Sequence, residues 1–378
     1  MKEKEFGVYV HIPFCARKCN YCDFLSGPAS VVVRERYVQA LTKEMHLTEE
    51  RTKGTVKTIF FGGGTPSILA AEQMQMLLET LRTNFHVQPQ AEISMEVNPG
   101  ALRPETLTAY RRAGINRLSI GLQSADNAEL CALGRIHSYE QFAENYRLAR
   151  QAGFANINVD LMLAIPGQTK ESLRRSLERV TALRPEHLSV YSLILEEGTP
   201  FYERQDTLNL PDEETEREMY WLADRYLAAN GYQAYEISNY ALPGKECRHN
   251  LIYWSDEDYI GLGVGAASYW EGVRCQNTED IEAYLEDSRP QQIRQITEER
   301  NEQRHLEEYL FLGLRKRAGI ELAELNRRFD RPLERLYAQE MKSWTEQGLL
   351  CIENGYLRLT ERGIDVSNRV FAGLIRAE

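Results

Sequence analysis

The stretch GVYVHIPFCARKCNYC, residues 7–22, places three cysteines directly after a short β-rich run. Cys15, Cys19 and Cys22 lie within eight residues, so three thiolates on one loop can surround a single polynuclear site. A [4Fe–4S] cluster has four irons, and three cysteines would leave one iron open for an added ligand. The spacing therefore predicts such a cluster after the first strand. A zinc site completed by a distant His or Cys is the alternative.

Outward from this stretch, β-rich runs alternate with helix-forming patterns as far as about residue 240. Six strand-then-helix units in series predict parallel strands joined by right-handed crossovers. Either a doubly wound sheet or an open barrel fits that pattern. The predicted strands are Gly7–Phe14, Val56–Gly62, Ala91–Asn98, Asn116–Gln123, Asn156–Leu163 and His187–Leu195. The predicted helices are Val33–Glu49, Glu72–Thr83, Pro104–Ala113, Tyr139–Ala152, Lys170–Leu183 and Glu213–Ala229.

The positions of the unusual residues favour the barrel. Cysteine, glycine and polar residues recur at the carboxyl ends of successive predicted strands, where barrel enzymes assemble their sites. We therefore predict a partial (β/α)6 barrel over residues 1–240 with one mouth at the strand ends. The residues that support this are Cys15, Cys19, Cys22, the turn 62–66, Glu96, Asn98, Gln123, Ser124 and Asp160.

Beyond residue 240 the alternation stops. Residues 241–300 are predicted to form a connecting segment that carries the word HNLIYW, residues 249–254. Residues 301–378 show helices followed by a hairpin through Asn354-Gly355, a strong tight-turn signal. This order predicts a winged-helix-like C-terminal domain. It holds 13 Lys and Arg against 13 Asp and Glu, so it is neutral and does not suggest nucleic-acid binding.

Composition places the chain among soluble globular proteins. It has 378 residues, of which 43% are hydrophobic and 27% charged. The charge balance, 45 − 56 = −11, disfavours general nucleic-acid binding, because phosphate affinity depends on Lys and Arg. No apolar run approaches the roughly 18 residues needed to span a bilayer, and the N-terminus lacks the pattern of a secretory signal. We expect a cytoplasmic protein without a transmembrane segment.

The cysteine word Cys-x3-Cys-x2-Cys, with Tyr21 before its last cysteine, resembles the signature of the radical S-adenosylmethionine (SAM) enzymes. Further motifs, spread over nearly the whole chain, resemble those of the oxygen-independent coproporphyrinogen III oxidase group. They are YVHIPFC (9–15), FGGGTP (61–66), EVNP (96–99), GLQS (121–124) and DLMLAIPGQT (160–169). In that superfamily the open iron is chelated by the amino and carboxylate groups of SAM. An electron from the cluster then cleaves the sulfonium to give a 5′-deoxyadenosyl radical.

The resemblance also implies a set of SAM-binding residues at or near the strand ends. Gly63, Gly64 and Thr65 are expected to hold the methionyl end, with Arg135 near its carboxylate. The remaining expected contacts are Glu96 and Gln123 in the same pocket, Asp160 on the ribose, Tyr9 and Tyr21 flanking the cofactor, and Ile194 near the adenine.

Two departures from the oxidases point to a sister group, the HemW-type heme chaperones. The oxidases carry another cysteine where this chain has Phe24, and a longer segment than the 14 residues that precede Cys15 here. The word HNLIYW also resembles that group, in which the His is the proposed heme contact. A neutral imidazole is a common axial ligand of heme iron, so His249 is the expected contact. The alternatives are a thiolate from Cys247 and a buried, hydrogen-bonded His249.

The resemblance thus predicts a heme chaperone that binds a [4Fe–4S] cluster, SAM and heme. It would deliver heme to cytosol-facing or membrane-bound acceptor proteins, such as respiratory enzymes, and would need a reductant for the cluster. Two alternatives stay open at this point. One is a radical enzyme that acts on coproporphyrinogen III or another organic substrate, and the other is a radical SAM methyltransferase.

Overall fold

The computed structural model describes residues 4–100 and 102–376, and its centre is one sheet of 12 strands. Residues 1–3 of the predicted first domain and residues 377–378 of the predicted last one lie outside the described part. The sheet order is β12-β11-β10-β9-β1-β2-β3-β4-β5-β6-β8-β7. The strands are β1 Glu5–Ile12, β2 Thr55–Gly63, β3 His86–Val97, β4 Arg117–Gln123, β5 Ile157–Leu163, β6 His187–Ser192, β7 Gln233–Ala234, β8 Asn239–Ala241, β9 Tyr259–Leu262, β10 Ala267–Trp270, β11 Val273–Asn277 and β12 Arg294–Glu299.

Strands β1 to β6 run parallel, each paired with the next, and helices connect them. This arrangement confirms the partial barrel of six strand–helix units. Their carboxyl ends, where the unusual residues were noted, consequently lie at one edge of the sheet. The helices of this part are α1 Val31–Leu47, α2 Ala71–Asn84, α3 Pro104–Ala113, α4 Asn127–Ala132, α5 Tyr139–Gln151, α6 Lys170–Thr181, α7 Pro200–Glu203 and α8 Glu213–Ala229.

The two faces of the parallel strands differ sharply in polarity. On β4, Leu118, Ile120 and Leu122 belong to the hydrophobic core beneath the helices, whereas Arg117 and Ser119 line an internal cavity. Successive side chains of a strand point to opposite faces, so one alternating sequence serves both purposes. Closed eight-stranded barrels fill their interior with branched apolar side chains. This open barrel instead keeps a polar interior that can receive a ligand.

Residues 241–300 extend the sheet instead of only connecting the two ends of the chain. Strand β9 pairs in parallel with β1, and β10, β11 and β12 continue the sheet in antiparallel fashion. The buried carboxylate of Glu44 on α1 accepts hydrogen bonds from Gly263 N at 2.8 Å, Asn277 Nδ2 at 2.7 Å and the Tyr284 hydroxyl at 2.6 Å. These strands are short and lack a clear alternation, so their pairing depends on the free edge of β1. Helices α9 Arg248–Trp254, α10 Ile281–Glu286 and α11 Pro290–Ile293 complete this part.

The C-terminal residues form a second hydrophobic core with a small sheet ordered β13-β15-β14. Its hairpin turns at Asn354 and Gly355 as the sequence predicts, with positive φ at both residues. This part packs on the barrel through α9, where Arg315 lies over the ring of Trp254 at 4.5 Å. No helix among the described residues is long and apolar enough to cross a membrane. The elements are α12 Glu302–Arg315, β13 Ile320–Glu321, α13 Leu322–Phe329, α14 Pro332–Leu336, α15 Ala338–Glu346, β14 Leu350–Glu353, β15 Tyr356–Leu359, α16 Glu361–Asp365 and α17 Ser367–Leu374.

Candidate functional site: a polar cavity at the barrel mouth

A cavity of about 530 Å³ opens at the carboxyl ends of β1 to β6. Its wall combines the loop after β1 with the last residues of the next five strands. Twelve of the fourteen residues predicted from the sequence line it, so the fold brings nearly the whole predicted site together. These twelve are Cys15, Cys19, Tyr21, Cys22, Gly63, Gly64, Thr65, Glu96, Gln123, Arg135, Asp160 and Ile194.

Hydrogen bonds hold the cysteine loop after β1 against the turn that follows β2. Cys15 N donates to Gly27 O at 2.9 Å, and Thr65 N donates to Phe14 O at 2.8 Å. The Cys15 thiol and the Thr65 hydroxyl lie 3.5 Å apart. Burial raises the pKa of the Cys22 thiol, and the charges of the other two cysteines add to the rise. Backbone contacts therefore fix the start of the cysteine loop, and all three cysteines line the same cavity.

This donor set fits a cluster better than a single metal ion. Among the described residues, no three His, Cys, Asp or Glu side chains converge as the ligands of one ion would. Zinc in a structural site needs four ligands around one centre, whereas the thiolates of a [4Fe–4S] cluster bind separate irons. Arg135 Nη1 donates to Cys19 Sγ at 3.5 Å, so one cysteine of the loop is also held by a side chain from the far wall of the cavity. The arrangement therefore disfavours the zinc alternative.

The turn after β2 requires glycine at two positions. Gly63 has φ +108°, and a Cβ there would lie 2.4 Å from the ring of His11. A Cβ on Gly64 would lie 2.7 Å from Phe14 O, directly behind the cysteine loop. Residues without a Cβ allow the backbone to approach both its neighbour and a ligand closely. The turn thus presents its backbone to the cavity while it supports the cysteines.

Two buried carboxyl groups face the cavity. Burial and, to a smaller extent, nearby Asp160 raise the pKa of Glu96 to about 8, although the bond from Gly63 N at 3.1 Å opposes the rise. Burial also raises the pKa of Asp160, which accepts from Asn158 Nδ2 at 2.7 Å. A bound cation would favour the ionised form of Glu96. Ligand ammonium and hydroxyl groups are therefore suitable partners for this pair.

Arg135 and Gln123 have fixed orientations. Arg135 Nη2 donates to Asn98 Oδ1 at 2.8 Å and to Gly121 O at 2.5 Å, which directs its guanidinium across the cavity. Gln123 has φ +75°, and its Oε1 accepts from the Tyr191 hydroxyl at 2.9 Å. These bonds hold both side chains in place at the cavity wall.

Comparison with known proteins places this arrangement in a family. Residues 9–180 match the model of the radical SAM superfamily, and residues 301–366 match that of the HemN C-terminal domain. A protein of Lactococcus lactis named heme chaperone HemW is 36% identical over 98% of this chain and 97% of its own. The namesake from Bacillus subtilis is 38% identical over 97% of this chain and 98% of its own. The chain belongs to the HemW family.

The chain also shares its fold with a solved enzyme structure. Coproporphyrinogen III oxidase (HemN) from Escherichia coli, described as a radical SAM enzyme, superposes with a TM-score of 0.86 at 24% identity. The match covers 98% of this chain and 90% of that chain. At this identity it shows a common fold, including the C-terminal domain, and it confirms the fold predicted from the sequence.

Two of the predicted site residues do not line the cavity. Tyr9 is the first of them. Its hydroxyl lies 3.0 Å from His11 Nδ1, and its ring stacks on Phe60 with centroids 6.4 Å apart. Burial raises the pKa of Tyr9, and Glu96 adds to the rise. Tyr9 is partly exposed but does not line the cavity, and its contact with the cofactor stays a prediction.

His249, the second of these, is enclosed at the inner end of the barrel. It is 1% exposed and lies on α9. Its Nδ1 lies 2.8 Å from Thr58 Oγ1, and its Nε2 lies 2.9 Å from the Tyr253 hydroxyl. Burial lowers the pKa of His249 to about 3, and the charge of Arg117 adds to the effect, so the imidazole is neutral. The heme contact stays a prediction, and it requires His249 to leave one of these partners.

Cys247 fits the thiolate alternative poorly. Its side chain is fully buried, and its sulfur lies 3.6 Å from Glu92 Oε1. Burial raises the pKa of Cys247 to about 12, so the thiol stays protonated at neutral pH. A protonated thiol without access to the cavity is a poor ligand for iron.

Sequence reasoning missed several polar residues that line the cavity further inside. The sequence analysis placed the site at the strand ends, but polar side chains also occupy alternate positions within the strands. That period of two was the available signal, because an apolar strand with polar residues at every second position must have a polar face. The missed residues are Arg117, Ser119, Asn158, Ser189 and Tyr191 within the strands, together with Asn239 on β8 and Asn250 on α9.

Proposed function

We propose that this protein is a cytoplasmic heme chaperone that holds a [4Fe–4S] cluster, SAM and heme. Cys15, Cys19 and Cys22 would bind the cluster, and a reductant would supply it with electrons. The heme would pass to acceptor proteins, including membrane-bound respiratory enzymes. The observation that carries the proposal is the nearly complete match, across both domains, to relatives named heme chaperone HemW.

The cavity supplies suitable contacts for SAM. Glu96 can accept from the amino group of the methionyl end, and Arg135 can pair with its carboxylate. Asp160 accepts hydrogen bonds and is suited to ribose hydroxyls, while Gly63 and Gly64 allow close approach of the backbone. The cluster supplies one-electron chemistry to the sulfonium when both are bound. The residues of the chain then bind and orient the cofactor and enclose it within the barrel.

The rim of the cavity supports heme binding independently of His249. Phe24 is 58% exposed and Ile194 is 67% exposed, and both line the mouth. Large exposed apolar side chains beside a cavity indicate a binding surface. A porphyrin presents a flat apolar face of matching character. Phe24 also replaces the cysteine expected in the oxidases, which adds an apolar contact where those enzymes have a thiol.

The cluster is tested by iron and sulfide analysis after anaerobic reconstitution. We expect about four of each per chain in the native protein. Cys19→Ser should lower both, whereas Cys131→Ser should not, because Cys131 is exposed and outside the cavity. Two or fewer irons in the native protein would contradict the cluster.

Heme binding is tested by anaerobic titration followed by absorbance. The native protein should bind saturably, and Phe24→Ser and Ile194→Ser should bind more weakly. Ile352→Ser is the matched control, because Ile352 is 60% exposed on the distant hairpin. The absence of saturable binding in the native protein would contradict the proposal. Turnover of coproporphyrinogen III under reducing conditions would favour the radical-enzyme alternative, and methyl transfer to an added acceptor would favour the methyltransferase.

A further inference from the structure

Arg117 is a buried cation for which the described residues provide no partner. It stands at the first position of β4, is 1% exposed and lines the cavity from within. No hydrogen bond or ion pair joins its guanidinium to any residue in the described ranges, and its Nε is buried without an acceptor. Burial of an unpaired charge is strongly unfavourable, so a fold retains one only where something else offsets the cost.

The acids near Arg117 already have other partners. Glu92 accepts from the backbone N–H groups of Arg248 and His249, each at 3.2 Å. Asp160 accepts from Asn158 Nδ2 at 2.7 Å. Burial lowers the pKa of Arg117, but surrounding acidic groups, Glu92 and Asp160 among them, raise it by more, so the guanidinium stays charged. None of these groups is close enough to form an ion pair with it.

The position of Arg117 separates it from the expected methionyl site. Arg135 bonds Gly121 O near the carboxyl end of β4, and Arg117 precedes Gly121 by four residues on that strand. Four residues of strand span about 13 Å, so the Cα of Arg117 lies well inside the barrel. Ser94, its register partner on β3, is also buried and has a hydroxyl without a partner. Arg117 is thus a cation on the wall of the cavity, and the neighbouring Ser94 has a buried hydroxyl that no described residue pairs with.

We infer that Arg117 binds a carboxylate of an organic ligand at the floor of the barrel, below the expected SAM site. A planar guanidinium matches a carboxylate through two parallel hydrogen bonds, which the cation now lacks. The depth of Arg117 favours a propionate side chain of a tetrapyrrole over the methionyl carboxylate. That choice of tetrapyrrole rests on the proposed function, whereas the carboxylate itself follows from the unpaired guanidinium.

The test compares ligands with and without a free carboxylate. Iron protoporphyrin IX and its dimethyl ester are titrated into native protein, Arg117→Met, Arg117→Lys and the surface control Arg217→Met, and SAM is titrated in parallel. The native protein and the control should prefer the free acid by about tenfold, as expected for one bidentate charge-assisted pair. Arg117→Met should lose that preference, and Arg117→Lys should retain part of it.

The outcomes separate the sources of the carboxylate. If Arg117→Met weakens SAM alone and leaves the heme preference intact, the carboxylate site stands and its ligand is the methionyl end. If neither SAM affinity nor the ester preference changes in Arg117→Met, the inference is overturned. If the native protein binds neither heme nor its ester, the proposed function fails, and the SAM titration alone decides the role of Arg117.

Thermal unfolding distinguishes a binding role from a structural one. Arg300 is equally buried, but its guanidinium pairs with Asp256 at 2.6 Å. Arg300→Met should lower the melting temperature, because it removes one partner of the buried Asp256 carboxylate and leaves it with His305, whose Nε2 lies 2.7 Å away. Arg117→Met should keep or raise the melting temperature of the ligand-free protein, because it removes an unpaired charge. A fall as large as that of Arg300→Met would give Arg117 a structural role and overturn the inference.

Discussion

The replacement Tyr253→Phe tests whether His249 is a heme ligand. In the structure the Tyr253 hydroxyl lies 2.9 Å from His249 Nε2, and the two rings meet edge to face at 5.2 Å. Phenylalanine keeps the ring contact and removes only the hydroxyl. Thr58 Oγ1, at 2.8 Å from Nδ1, still holds the other side of the imidazole. The variant therefore frees Nε2 at the smallest cost to packing.

The expected size follows from this one bond. A buried hydrogen bond contributes about 1 to 1.5 kcal/mol net, and 1.4 kcal/mol corresponds to tenfold in affinity. If heme iron takes Nε2, the native protein must first break this bond, and the variant need not. Tyr253→Phe should therefore bind heme about fivefold to tenfold more tightly than the native protein.

The assay is an anaerobic heme titration followed by the Soret absorbance. Tyr259→Phe is the matched control, because Tyr259 contacts Tyr253 at 4.7 Å but its hydroxyl faces Arg274 instead of His249. The control should bind heme like the native protein. Unchanged affinity in Tyr253→Phe, together with weaker binding in Phe24→Ser, would refute ligation by His249 Nε2 and leave the rim as the heme site.

Two further predictions concern the cavity wall. The folded-state pKa of Glu96, about 8, exceeds its ordinary value of 4.5, so the folded protein binds more protons than the unfolded chain between those values. The contribution of Glu96 to the free energy of unfolding is therefore fully present below pH 4.5 and is lost as the pH rises toward 8. Glu96→Gln should flatten this decline in urea unfolding of the cofactor-free protein, and an unchanged pH dependence would contradict the buried carboxyl. Gly64→Ala should cost about 1 to 3 kcal/mol through overlap with Phe14 and lower the iron content after reconstitution. The control is Gly27→Ala, whose Cβ would meet nothing within 4 Å and which should leave both the stability and the iron content unchanged. Equal iron content in the Gly64→Ala and Gly27→Ala variants would show that the turn does not support the cysteine loop.

Much of the cavity could be predicted from the sequence because its residues occupy strand ends. Parallel strands in series bring their carboxyl ends to one edge, so residues far apart in the chain must meet there. Cys15, Gly63 and Glu96 meet in this way, each placed by its own strand. The prediction needed only the strand boundaries, and local alternation supplies those.

The inner part of the barrel was not predicted, although the signal was present. Polar residues at every second position of β3 and β4, such as Ser94 and Arg117, indicate a polar inner face. Whether each one has a partner depends on neighbours from other strands. For Arg117 only the assembled barrel shows that no described acid pairs with its guanidinium.

The sequence by itself therefore determined the strand–helix order, the cysteine loop, the glycine turn and the edge at which they meet. The tertiary structure decided the pairing of β9 with β1 and the enclosure of His249. His249 and Thr58 are 191 residues apart in the chain, yet their side chains share a hydrogen bond. Periodicity reports contacts within a strand or helix, whereas burial of one side chain depends on elements that reach it only after folding.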